Sequence, residues 1–302
     1  MPASGSSALA AAPPAGRAGT MLARLVRLPN LLIMALCMAL TQTCLLVPTD
    51  PLAALLSVRF ALLLLATLCV AAAGYIINDY YDVKIDTINR PGQLVVGPVV
   101  GRRPAMLAHL LLSFEGIVVA GTLAPAVGVV TVGAALLLWG YSARFKRVAL
   151  VGNLSIGLLT AALVLLPELL LRTGHTAVWG YALAAFLLTV VREIIKDVED
   201  MRGDAQHDCR TLPIVVGVAR SKWVVAVFLL SLLWVVAVAI GQGFAEGQWR
   251  LALWLLGTVL GPLVLLGVRL ARADRRRDFA RLSTLCKLIM LGGVLSMLVI
   301  GR

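Results

Sequence analysis

The sequence predicts an all-α polytopic membrane protein with nine transmembrane helices. Three observations carry that prediction. Of 302 residues, 60% are hydrophobic and only 14% are charged, against roughly a quarter charged in a soluble domain, and the mean hydropathy is +0.95. The apolar residues fall into runs long enough to cross a ~30 Å hydrocarbon core. The cations then sort to one side of those runs.

Residues 1–20 are mostly Ala, Pro, Gly and Ser, with one charge at Arg17. That composition cannot bury a core and is expected to be a disordered tail, leaving 21–302 as one intramembrane domain. It does not read as a signal peptide. The run behind Arg24 and Arg27 is long enough to span and ends in no A-x-A site. The nine runs lie near 22–47, 52–78, 104–123, 126–143, 150–170, 177–197, 221–241, 249–271 and 282–300. A tight turn at Ala124-Pro125 separates the third from the fourth.

With the N-terminus in the cytosol, alternating spans leave only Arg59, Arg172, Arg250 and Arg302 of 27 Lys and Arg on the opposite side. This is the asymmetry of the positive-inside rule; a wrong helix count would scramble it. The C-terminus is therefore expected outside, in a multi-pass cell (inner) membrane protein. The formal charge of +12 is first a topology signal, and the absence of a basic soluble module argues against nucleic acid as a partner. Five cysteines without a CxxC suit small buried hydrophobes better than disulfides or zinc.

The second and sixth spans carry the chemistry. Asp79, Asp82 and Asp86 stand at i, i+3 and i+7, and so share one helix face. The same spacing recurs as Asp197, Asp200 and Asp204. One such pair at a cytosolic helix end is ordinary solvated surface. Two matched stripes on helices that both run toward the cytosol form a parallel repeat, pseudo-symmetric about a central cavity. Six converging carboxylates repel one another unless compensated. Mg²⁺, held by a few carboxylates and substrate phosphates, supplies the compensation and takes charge off a departing diphosphate.

Glu193 extends the second stripe by one turn, and Arg192 and Lys196 flank it. Lys146 and Arg147 follow the fourth span, Arg90 follows the first stripe, and Asn30 opens the first span behind Arg27. Cations there suit phosphate oxygens, although cytosolic Lys and Arg are expected in any case. Arg275-Arg276-Arg277 reads as a headgroup anchor. Tyr75, Tyr80, Tyr81 and Tyr141 either belong to an interfacial belt or line the cavity.

These residues resemble the UbiA superfamily of intramembrane prenyltransferases over nearly the whole chain from Arg24. The first motif is complete as Asn78, Asp79, Asp82 and Asp86, and the second appears as Asp197, Asp200 and Asp204. Tyr141-Ser142 with Lys146-Arg147, Asn30 with Arg27, and Arg210-Thr211-Leu212-Pro213 with Gly217 also match. The resemblance implies a central cavity under a cytosolic cap, Mg²⁺ as cofactor and a polyprenyl diphosphate donor whose tail lies in a channel open to the bilayer. It implies Asp82, Asp86, Asp200 and Asp204 as metal-binding catalytic residues, with Asn78, Asp79 and Asp197 in the metal set. It makes Arg27, Asn30, Arg90, Lys146, Arg147 and Lys196 diphosphate residues, and Tyr141 a lining of the reacting centre.

The string from Arg192 to Asp200 looks like the branch of digeranylgeranylglyceryl phosphate synthases, which implies a glycerophosphate lipid acceptor. That branch continues N-R-P-x-R-P after the first motif, where this chain has Asn89-Arg90-Pro91-Gly92-Gln93-Leu94. An aromatic quinone or tetrapyrrole precursor therefore stays open as acceptor. The CDP-alcohol phosphotransferase pattern D-G-x-x-A-R does not occur. An ion-coupled secondary transporter would carry its acids near the midplane rather than at cytosolic helix ends.

Overall fold

Lipid offers a peptide group no hydrogen-bond partner, so long apolar runs must satisfy their own backbones as helices. The computed structural model describes residues 21–89, 94–206 and 209–300, with 84–89 described by backbone alone. The predicted tail 1–20 and Arg90 lie outside the described residues. Among those described, nine helices are long and apolar enough to cross a membrane. They are α1 Leu28–Leu46, α2 Val58–Asn89, α3 Arg102–Leu123, α4 Pro125–Ala143, α5 Val151–Leu171, α6 Thr176–Ala205, α7 Val218–Ala245, α8 Trp249–Arg272 and α9 Arg276–Val299.

Three of the nine differ instructively from the expected spans. The first run is not continuous: 21–25 is helical, the chain breaks at Val26-Arg27, and α1 starts at Leu28. Pro29 explains the break, because in an unbroken helix its ring would meet the carbonyl of Leu25. The second and sixth spans, expected to stop near 78 and 197, continue to Asn89 and Ala205. They hold 32 and 30 residues, about 48 and 45 Å at 1.5 Å per residue. That exceeds a ~30 Å core by several turns. Hydropathy ends where the carboxylates begin, but the helices go on and carry both stripes out of the apolar layer.

Each stripe helix packs chiefly on its chain neighbours, α2 on α3 and α4, and α6 on α5, α7 and α9, while α2 and α6 hardly touch each other. Small residues permit the tight pairing of α2 with α3: a Cβ on Gly116 would come within 2.7 Å of the Ala66 carbonyl. Buried residues of α6, α7, α8 and α9 form the largest apolar cluster.

Two segments cap the end of the bundle that carries the stripes. Val95 and Val96 are buried against Leu25, Ile76 and Ala105, in a turn where Gly97 takes φ +103° and its N–H bonds the Val100 carbonyl at 2.8 Å. After α6, Leu212 is buried in a short helix Leu212–Val216, and the Arg210 N–H donates to the Arg147 carbonyl at 2.9 Å. All five cysteines are free and four are buried.

Candidate active site

The α2 stripe is held from outside its own helix. Asn78 Nδ2 donates to Asp82 Oδ2 at 3.0 Å, one turn along the same face. Lys146 reaches across from the loop after α4, and its Nζ donates to Asp82 Oδ1 and, at 3.5 Å, to Asn78 Oδ1. Arg27 Nη2 donates to Asp79 Oδ1 at 3.3 Å, and its guanidinium lies 5.1 Å from the Tyr75 ring centroid. Arg102 from α3 stacks 4.4 Å from the Tyr80 ring centroid.

Two non-glycine residues at this end of the bundle take positive φ. Arg27 and Leu150 have φ of +50° and +66°. A left-handed non-glycine residue costs about 1–3 kcal/mol and persists only when its surroundings hold it. Here Arg27 is held by Asp79 and Tyr75, and Leu150 turns the chain from the Lys146 loop into α5.

Two glycines clear the space for that loop. A Cβ on Gly140 would lie 2.7 Å from the Phe145 ring, and one on Gly152 would lie 3.0 Å from Lys146 Cα and 3.1 Å from the Phe145 carbonyl. Phe145–Arg147 can therefore tuck in as a single 3₁₀ turn. Gly152→Ala should push the Lys146 backbone outward. Misplacement by a fraction of an ångström to 1 Å is costly in a positioned site. The expected result is a loss of turnover of about tenfold or more with an unchanged helical circular-dichroism spectrum, read by steady-state assay of the purified variant.

The α6 stripe has its own amide partner, which the sequence reading missed. Asn153 Nδ2 donates to Asp197 Oδ2 at 2.8 Å. Asn153 is the third residue of α5, as Asn30 is the third residue of α1. That repeat relation, an Asn opening the helix before each stripe helix, was the available signal. The two mates behave differently. Asn153 is buried, whereas Asn30 is exposed and its side chain bonds neither stripe among the described residues.

Asp200, Asp204 and Lys196 are half-buried on the last turns of α6. Arg147 is half-buried, with its Nε buried and without a hydrogen-bond partner among the described residues. Asp86 continues the α2 face by its backbone position, and its side chain lies outside what is described, as does Arg90.

Two groups lie within electrostatic reach of both stripes. Burial pushes the thiol of Cys209 up, the nearby Asp204 and Asp82 carboxylates add to this, and Arg147 and Lys146 oppose it. One side chain thus senses both motifs and the basic loop. Tyr141, half-buried near the end of α4, lies within electrostatic reach of Glu193, Asp197, Asp82 and Arg27. Among the described residues no three His, Cys, Asp or Glu side chains close on one point. Carboxylates spread along two helices take the donors nearest them: Asp79 takes Arg27, Asp82 takes Lys146 and Asn78, and Asp197 takes Asn153.

Inward of Tyr141 the walls become apolar. Met34, Thr67, Leu138, Leu159, Leu163 and Leu166 line a cleft among α1, α2, α4 and α5 that is open on one side. The hydroxyls of Thr67 and Thr131 are spent on carbonyls of their own helices, at 2.8 Å each, so the lining stays non-polar.

A family model described as the UbiA prenyltransferase family matches residues 30–290. The chain belongs to the UbiA prenyltransferase family. The matched segment contains both stripes, Lys146 and Asn153, while Arg27 lies just ahead of it. The chain is 36% identical over 178 residues to the digeranylgeranylglyceryl phosphate synthase of Pyrococcus horikoshii, an alignment covering 57% of this chain and 64% of that protein, just under two thirds of its length. It is 28% identical over 244 residues to the synthase of the same name from Methanococcoides burtonii, covering 80% and 83%.

Solved UbiA-family structures share the fold. A structure described for digeranylgeranylglyceryl phosphate synthase biosynthesis in membranes superposes with a TM-score of 0.74 at 21% identity, over 94% of this chain and 98% of that one. A UbiA homolog from Archaeoglobus fulgidus, bound to DMAPP and Mg²⁺, superposes with a TM-score of 0.63 at 18% identity, over 92% and 99%. The UbiA member described here is thus a polytopic membrane protein with both acidic stripes inside the family's helical frame.

Proposed function

We propose that this UbiA-family protein transfers a prenyl group from a polyprenyl diphosphate to a hydroxyl of a membrane glycerophosphate lipid, with Mg²⁺ as cofactor. The observation that carries the reading is the pair of acidic stripes on α2 and α6, set at one end of the bundle with the basic Lys146–Arg147 loop between their helices in chain order. Relatives named as digeranylgeranylglyceryl phosphate synthases support the glycerophosphate acceptor. The UbiA homolog bound to DMAPP and Mg²⁺ supports the cofactor.

The donor set fits a hard divalent cation, because its members are carboxylate and amide oxygens. The protein's own Lys146 ammonium already sits on the Asp82 and Asn78 oxygens as a cation would. Asp82, Asp86 and Asn78 on one helix, and Asp200 and Asp204 on the other, would hold the metal, with Asp79 and Asp197 supporting them. Bound there, Mg²⁺ supplies positive charge against the leaving diphosphate.

Arg27, Lys146, Arg147 and Lys196 take diphosphate oxygens that the metal leaves uncovered, with Arg90 proposed beside them. The Tyr141 ring faces the carbon that gains positive character. The apolar cleft takes the prenyl tail and keeps bulk water from that carbon. The orientation that follows has the N-terminus and both stripes in the cytosol and the C-terminus on the other side of the cell membrane.

Chelation tests the reading directly. Purified protein supplied with geranylgeranyl diphosphate and a glycerophosphate lipid should release diphosphate, lose that activity in EDTA and regain it with added Mg²⁺. Equal turnover in EDTA would sink the metal assignment. Transfer to aromatic acceptors alone would sink the lipid one.

A further inference from the structure

One charged group near the site has no part in the clamp described above. Glu193 lies on α6 one turn inward of Asp197, toward the membrane interior. It is buried, at 8% exposure. Arg192 Nη1 donates to its Oε1. Adjacent helical residues do not normally face each other, so the Arg192 side chain must fold back along the helix to make this bond. Arg192 Nε is itself buried without a partner among the described residues. A buried carboxylate with a half-buried guanidinium beside it is expensive to keep inside a transmembrane segment and marks function.

The surroundings say where this carboxylate stands. Tyr141 of α4 senses Glu193 ahead of every other charge near it, and Cys286 of α9 senses both Arg192 and Glu193. Helix α6 packs on α9, and both residues of the pair precede Asp197 on α6 by about one turn, so the pair stands deeper than the stripes. With a diphosphate held at the stripes and its tail in the apolar cleft, the first carbon of the prenyl chain falls at the level of Tyr141.

Given the hydroxyl acceptor proposed above, on which this step rests, we infer that Glu193 is the proton acceptor for the acceptor hydroxyl. The bond between the prenyl C1 and the diphosphate oxygen breaks, and the electron pair leaves with diphosphate. The acceptor oxygen bonds to C1, and its proton passes to Glu193 Oε. Arg192 is the positioning residue: it fixes the carboxylate rotamer and balances its charge away from bulk solvent. Atoms and electrons balance with no other reactant.

The test uses full-length protein in lipid with Mg²⁺ and geranylgeranyl diphosphate. It compares two acceptors, a prenylglycerol phosphate bearing a free hydroxyl and the same lipid with a thiol in its place. A thiol ionises near pH 8.5 and needs no base above that. Glu193→Gln is expected to lower transfer to the hydroxyl by about 100-fold or more, leave the KM for the donor unchanged, and transfer to the thiol at pH 9 within about threefold of wild type.

Thiol transfer by this variant also shows that it is folded. Glu193→Asp, which keeps a carboxylate beside Arg192, should retain more hydroxyl transfer than Glu193→Gln. Unimpaired hydroxyl transfer by Glu193→Gln would overturn the assignment and leave the acceptor reading standing. Equal losses on hydroxyl and thiol, with Glu193→Asp no better, would make Glu193 structural and overturn it as well. A wild-type protein that releases diphosphate but prenylates no hydroxyl would overturn the acceptor reading itself, and this step with it.

Discussion

Asp82→Asn and Asp200→Asn should each reduce prenyl transfer by at least about 10³-fold, equivalent to about 4 kcal/mol of transition-state stabilisation. The two carboxylates lie on different helices of the repeat, and a diphosphate clamped from two sides loses its leaving-group stabilisation if either side fails. Stability should change much less. Asn at position 82 keeps an oxygen for Lys146 Nζ and a similar shape, so the cost is about that of one weakened hydrogen bond, roughly 1 kcal/mol. Asp200 has no side-chain bond among the described residues, and its loss breaks nothing in the fold. The measurement is paired: turnover by diphosphate release, and thermal unfolding of the detergent-purified protein. Either variant turning over within tenfold of wild type would mean that one stripe is enough, and the clamp would be wrong.

Lys146→Met should separate two roles that the geometry superimposes. The ammonium bonds Asp82 and Asn78, and it is also placed to meet a diphosphate. A charge-assisted hydrogen bond is worth about 1.5–3 kcal/mol, so its loss should raise the donor KM or lower kcat/KM by about 10- to 150-fold. Metal demand should move the other way. With the ammonium gone, Asp82 has no competing cation, and the Mg²⁺ concentration for half-maximal turnover should fall. Titration of Mg²⁺ at saturating donor reads this. A rise instead would show that Lys146 organises the carboxylates for metal rather than competing for them.

Much of the architecture follows from the chain's chemistry. Apolar runs in lipid have only the helix available to satisfy their backbones. The distribution of Lys and Arg then supports the count of the runs. Spacing of i, i+3 and i+7 is enough to place Asp79, Asp82 and Asp86 on one face, and Asp197, Asp200 and Asp204 on another. Such regularities are local or compositional, so the order of residues exposes them.

What the sequence left undecided depended on contacts between segments far apart in the chain. The sequence reading ended two spans at the stripes because hydropathy falls there. The structure carries α2 and α6 beyond, since a helix makes its backbone bonds internally and does not need an apolar surround to continue. Asn30 and Asn153 occupy matching places in the repeat. Only packing decides that Asn153 is buried against Asp197 while Asn30 stays exposed.

Lys146 and Arg147 were equivalent cations by position. The close approaches at Gly140 and Gly152 seat their turn so that the Lys146 ammonium reaches Asp82 and Asn78. By itself the sequence determined the membrane fold and the two carboxylate faces, because periodicity and charge act along the chain. The tertiary structure alone decided which donor each carboxylate meets and which acid stays in reserve inside the bundle. Those pairings are set by distances of a few ångströms between segments far apart in the chain.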